Sequence, residues 1–227
     1  MTILNIETST NVCSVAVSAN GKCIFSRMNA DGMNHATMLS PFIDEALKFL
    51  APNKPDAIAV SGGPGSYTGL RIGVSTAKGL SYGLEIPLIA IDTLEIMTLK
   101  AKERIENLQQ NSLLCAMIDA RRMEVYSAFY DFNGNLFRKV SADIIDENSY
   151  ADFLENNTIY FFGNGSPKCK AILTHTNAIF IDEIVPLAEN MIPLAEKAFL
   201  DQKFADVAYY EPFYLKEFYT TAPKSLN

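Results

Sequence analysis

The stretch AIAVSGGPGSYTGLRIGVSTAKGLSYG, Ala57 to Gly83, decides the fold class. Ala57, Ile58, Ala59 and Val60 form a short apolar run of the kind a buried strand shows. The run breaks at Ser61-Gly62-Gly63-Pro64-Gly65, and a helix is predicted from about Thr68 to Leu84. Strand, glycine turn and helix in that order belong to α/β folds, where a helix N-terminus presents backbone N–H groups to anions. The predicted helix carries two rows of small residues, Gly69-Gly73-Ala77 and Ser75-Gly79-Gly83. Such rows let another helix come close. The segment therefore offers two candidate functions: a phosphate cradle at Gly62, Gly63, Gly65 and Ser66, or a docking helix.

Outside that segment the chain is a duplication. Ile3 to Phe25, ILNIETSTNVCSVAVSANGKCIF, matches Leu113 to Phe137, LLCAMIDARRMEVYSAFYDFNGNLF. Each copy is an apolar strand ending on an acid, Glu7 or Asp119, then a polar turn and a second strand. Each then reaches an Asn-Gly pair, Asn20-Gly21 or Asn133-Gly134, the strongest short hairpin signal, and a third strand. Helices are predicted over His35 to Leu50 and Thr93 to about Asn107, with strands at Asp56 to Val60 and Leu88 to Ile91. The second half adds strands at Thr158 to Phe162 and Ala178 to Ile181, and a helix over Pro186 to Leu200. Three meandering strands followed by alternating helices and strands, made twice, give an α/β chain of two related lobes with mixed sheets. The polar stretch KAKERIENLQQNS, Lys100 to Ser112, is the lobe boundary and divides the chain into a lobe of residues 1–107 and a lobe of residues 108–227. The aromatic, breaker-rich tail YYEPFYLKEFYTTAPKS is expected to pack as an extended strap. A plain dinucleotide fold would open on strand, glycine loop and helix, not on a hairpin.

Composition narrows the function classes. The 227 residues carry a net charge of −7, which disfavours a surface built to grip a phosphate backbone. No apolar run approaches the ~20 residues that span a bilayer, and MTILNIETST has no secretion-signal pattern, so a cytoplasmic protein is expected. Cys13, Cys23, Cys115 and Cys169 are isolated, and Cys13, Cys23 and Cys115 fall in strand-like runs, which predicts buried free thiols rather than zinc ligands or disulfides.

GPGSYTGLRIG, followed some 45 residues later by IDAR, together with the acid-ended first strand and EPFYLKEF near the end, resembles the TsaB/YeaZ family over nearly the whole length. Glu7 stands where that family usually has Asp, and Lys216 where it commonly has Arg. The resemblance implies an actin-like (ribonuclease H-like, ASKHA) fold. It also implies a non-catalytic accessory subunit of the bacterial machinery that makes threonylcarbamoyladenosine in tRNA. Its expected partners are the catalytic transferase paralogue TsaD and an ATPase subunit, TsaE. Contact with tRNA is expected only indirectly, and a homodimer when the chain is alone. In the catalytic relative a paired-histidine metal motif, H-x-x-x-H, follows the strand equivalent to Leu88–Ile91. Here Thr93 and Met97 stand at that spacing, and neither replaces an imidazole ligand. No catalytic residue, metal site or cofactor is therefore expected.

The resemblance points to the first two helices as the partner surface, with Met38, Phe42, Leu70, Ile72, Gly73, Thr76, Gly79, Leu80 and Gly83 as its residues. Interior glycines cost about 1 kcal/mol each in helix propensity, so close contact must compensate for them, internally or with a partner. The glycine turn fails the Walker pattern, having no Lys-Ser/Thr after its last glycine, and a tight structural turn explains it as well. His35 reads as a capping or surface histidine, and Glu7 and Asp119 as turn-capping acids. Arg121 and Arg122 suit either a phosphate or a salt bridge to an acid such as Glu124. The competing function is an actin-like kinase or metallopeptidase-like enzyme with magnesium nucleotide between the acids and the glycine turns at 62–65 and 163–165.

Overall fold

The computed structural model describes residues 1–32 and 34–215. The strap's residues 216–225, with Lys216, lie outside the described residues. The first half builds β1 (Thr2–Glu7), β2 (Cys13–Ala19), β3 (Lys22–Asn29), α1 (His35–Leu50), β4 (Ala57–Gly63), α2 (Tyr67–Leu84), β5 (Leu88–Asp92) and α3 (Thr93–Arg104). The second builds β6 (Ser112–Asp119), β7 (Glu124–Asp131), β8 (Leu136–Ile144), α4 (Ala151–Leu154), β9 (Thr158–Phe162), β10 (Ala178–Ile181) and α5 (Ile192–Leu200).

Each half makes one five-stranded mixed sheet with the same internal order, β3-β2-β1-β4-β5 and β8-β7-β6-β9-β10. The hairpins are antiparallel, and β1 with β4 or β6 with β9 is parallel. This repeated order is the actin-like, ribonuclease H-like arrangement. The central strands carry nearly unbroken apolar runs because both faces are covered. On the first sheet, α1 and α2 cover one face over Leu4, Ile6, Val15, Ile58 and Val60. The opposite face, with Ile3, Ala57, Ala59, Ile89 and Ile91, is closed by Met191 and Ala195 at and before α5. Helix α3 packs through Leu94, Met97 and Ala101 on the second sheet and also touches β4 and β5, so it couples the lobes.

Several boundaries differ from the sequence-based expectation. Strand β4 runs on through Ser61 and Gly62 to Gly63, which pairs with Asp92, so the break comes three residues later. Helix α3 stops at Arg104, inside the polar stretch and three residues short of Asn107. The helix expected from Pro186 is a 3₁₀ turn at Ala188–Met191 followed by α5. Among the described residues no helix is long and apolar enough to cross a membrane. All four cysteines are free, and Cys13, Cys115 and Cys169 are buried, but Cys23 is exposed because it lies on the edge strand β3.

Candidate functional site

The carboxyl ends of the parallel strands are where α/β sheets present ligand-binding loops. At β1 that end is Glu7, which is fully buried. Its Oε1 accepts the Ser9 amide at 2.5 Å, and Oε2 has no partner among the described residues. Burial pushes its carboxyl up to about 7, against a smaller opposing pull from the Ser9 amide and the nearby polar groups of Ser9, Ser61 and Thr8. At β6 the matching acid, Asp119, is ion-paired with Lys168, whose ammonium also donates to the carbonyls of Arg122 and Glu124. Asp92, at the end of β5, caps α3 by accepting from the amides of Leu94 and Glu95.

The glycine turn is filled by the chain itself. The Phe213 amide donates to the Gly62 carbonyl at 2.7 Å. A Cβ at Gly62 would collide with the Tyr210 hydroxyl, one at Gly63 with the Phe213 carbonyl, and one at Gly65 with the Ser9 carbonyl. Ser66 is the N-cap of α2, its hydroxyl accepting from the Gly69 amide. These residues do not fit a magnesium nucleotide: one acid is buried, the other is neutralised by lysine, and the cradle is covered. Among the described residues no group of three or more His, Cys, Asp or Glu is placed to hold a metal. Thr93 and Met97, at the spacing of a histidine pair, are both buried, and the Met97 methyl packs against the second glycine turn at Gly163.

The two rows of small residues on α2 have different fates. Gly69, Gly73 and Ala77 face inward. A Cβ at Gly73 would overlap the Thr8 hydroxyl, so this glycine brings α2 down onto the β1–β2 turn. Gly79 and Gly83 are the reverse case, with nothing within 4 Å of where a Cβ would stand. Between them Tyr82 is 81% exposed. A groove of about 640 Å³ follows, lined by Lys78, Gly79, Tyr82, Asp206, Val207 and Ala208. It adjoins a second depression lined by Tyr82, Gly83, Ile86, Pro87 and Val207. Lys78 fixes the far wall by donating to the carbonyls of Ala208 and Tyr210.

The sequence-derived docking residues therefore divide. Gly79 and Gly83 lie in the open. Met38, Ile72, Thr76 and Leu80 are half-buried, with Met38, Ile72 and Leu80 packed on the lobe's core. Phe42, Leu70 and Gly73 are buried. His35 is buried as well, not at the surface, and its Nε2 lies 2.7 Å from the Thr10 carbonyl. The groove's far wall, Asp206 to Ala208, was not legible in the sequence, since no local pattern announces that a distant segment will lie along α2.

The family model for tRNA N6-adenosine threonylcarbamoyltransferase, TsaD, matches residues 30–216. The tRNA threonylcarbamoyladenosine biosynthesis protein TsaB of Haemophilus influenzae is 32% identical over 228 residues, spanning 95% of this chain and 94% of the relative. The Escherichia coli protein of the same name is 30% identical, spanning 95% of each. Among solved structures, YeaZ from Pseudomonas aeruginosa superposes with a TM-score of 0.78 at 28% identity, covering 94% of this chain and 99% of that one.

Proposed function

The chain belongs to the family of tRNA threonylcarbamoyladenosine biosynthesis proteins called TsaB, and we propose that it serves that pathway as a non-catalytic docking subunit. Its partner is the threonylcarbamoyltransferase whose family model it also matches. The observation that carries this reading is the open face of α2, where Gly79 and Gly83 keep helix backbone bare beside Tyr82 and the groove at Val207. Bare glycine in a helix loses stability with no internal return, so a partner's close approach is the compensating contact. The cleft supports the same division of labour: Lys168 holds Asp119, and Tyr210 and Phe213 cover the glycine turn. Chemistry is left to the transferase, with an ATPase subunit joining the pair. A second copy of the chain covers the same face when the transferase is absent, because an isologous contact can use one patch twice.

Co-purification of the full chain with the transferase tests this. Gly79→Glu and Gly83→Glu place a charge in open space, so the variants keep a cooperative melt while losing the partner. Gly73→Glu is the contrasting control and unfolds the chain, because its Cβ meets Thr8. A folded Gly79→Glu/Gly83→Glu chain that still assembles overturns the reading.

A further inference from the structure

The β6–β7 turn puts two consecutive arginines into the left-handed region, Arg121 at φ 70° and Arg122 at φ 50°. Residues with a Cβ avoid that region, and arginine has no short polar group to ease the fit. The same chain shows what a hairpin turn uses when only the turn matters. At β2–β3 it places Asn20 (φ 47°) and Gly21 (φ 78°), and at β7–β8 it places Gly134 (φ 89°) after Asn133. Glu85, Tyr150, Glu183 and Gln202 also adopt positive φ, but among the described residues only 121–122 places two consecutive non-glycine residues in that region.

The turn is also held from behind. The Lys168 ammonium donates to the Arg122 and Glu124 carbonyls and pairs with Asp119, whose Oδ1 also accepts the Arg121 amide at 3.0 Å. The Asp119 amide donates to Asn164 Oδ1 at 3.0 Å. Asp119 is thereby occupied, and no ion pair among the described residues takes up either guanidinium. Both arginines are exposed. Their counterpart in the first lobe, the turn after Glu7, is buried under α2, with Thr8 and Ser9 inaccessible. The second lobe has only the 3₁₀ turn Pro167–Cys169 between β9 and β10 where the first has α2, so its turn stays open at the carboxyl ends of β6 and β9.

We propose that Arg121 and Arg122 form a phosphate-recognition turn that contacts the ribose-phosphate backbone of tRNA held by the assembled complex. Guanidinium is the side-chain group best suited to bidentate contact with phosphodiester oxygens, and this turn carries two of them in succession. The net charge of −7 keeps the free chain from gathering RNA by itself, so the contact forms once the partner has brought the tRNA close. This inference rests on the docking reading above.

The test uses the turn's own alternative. Arg121→Asn with Arg122→Gly installs the residues that the β2–β3 hairpin uses, so the melting temperature of the full chain holds or rises. Binding of an unmodified tRNA transcript to the reconstituted complex is then measured across salt concentrations. The dependence of log K on log salt becomes shallower by about 1 to 2 in the double variant, as expected for one or two lost phosphate contacts. An unchanged slope with the complex intact overturns the proposal while leaving the docking reading standing. A fall in melting temperature overturns it by showing the arginines to be structural. Weakened assembly with an unchanged slope overturns it in favour of a partner carboxylate. Failure of the wild-type chains to assemble overturns the docking reading and this inference together.

Discussion

At the scale of single residues, Glu7 sets how the protein responds to pH. Its carboxyl is fully buried at the end of β1, and burial raises its pKa from 4.5 to about 7. The raised value means the folded state holds the proton more tightly than the unfolded chain does. The associated stability is present in full below about pH 4.5 and is lost as pH rises through about 7. The displacement corresponds to about 3 kcal/mol between those limits. Asp92, pushed up to about 6 by burial despite two capping amides, acts in the same direction at lower pH. Chemical denaturation from pH 4 to 8 should therefore show falling stability. In Glu7→Gln most of the loss above pH 6 should vanish, with the variant more stable than wild type at pH 8. A variant that tracks wild type across the range would show that Glu7 is ionised throughout.

Helix α2 and the segment beside it show how far sequence reading reaches at the scale of elements. The strand, the turn and the helix were all legible, because apolar runs and glycine punctuation are local signals. So were the two rows of small residues. Which row faces the sheet was not, since Gly73 and Gly79 differ only in what the tertiary fold brings to them: Thr8 for one and open space for the other. The cover on Gly62 was equally hidden, because Tyr210 and Phe213 arrive from the far end of the chain. His35 failed for the same reason, being drawn inward by the Thr10 carbonyl. The Lys78 ammonium is a principal tie between α2 and residues 208–210. Lys78→Met removes two charge-assisted hydrogen bonds, each worth about 1.5–3 kcal/mol when well formed. Amide exchange across 206–213 should accelerate at least tenfold in this variant while the interior of α2 stays protected. Unchanged exchange there would mean that the Phe213–Gly62 bond and the Ala205–Leu88 bridge hold the segment alone.

Across the whole molecule, the duplication visible in sequence builds two sheets of one topology, yet the chain does not keep each half to itself. Beyond β10 it returns to the first sheet. Met191, Leu194, Ala195, Ala198 and Phe199 pack on the face of Ile3, Ala57, Ala59, Ile89 and Ile91. The Ala188 amide donates to Ser14 Oγ at 2.9 Å, and Ala205 bridges to the edge strand at Leu88. We propose residues 1–107 and 108–227 as the units of duplication, but α5 belongs energetically with the first. Uncovering that sheet face exposes several large apolar side chains at about 1.5–3 kcal/mol each, which rivals the entire stability of a typical domain. A fragment of residues 1–107 should therefore be aggregated or lack a cooperative melt. The same fragment joined through a flexible linker to residues 184–215 should recover one, because the joined segment restores the α5 cover and the Leu88 bridge. A cooperative, monomeric 1–107 fragment would overturn the argument. The coupling bears on docking, because the returning segment that closes the first sheet also supplies the Asp206–Ala208 wall of the groove beside Gly79. The linked fragment should then bind the transferase, and 1–107 alone should not, even under conditions that keep it in solution.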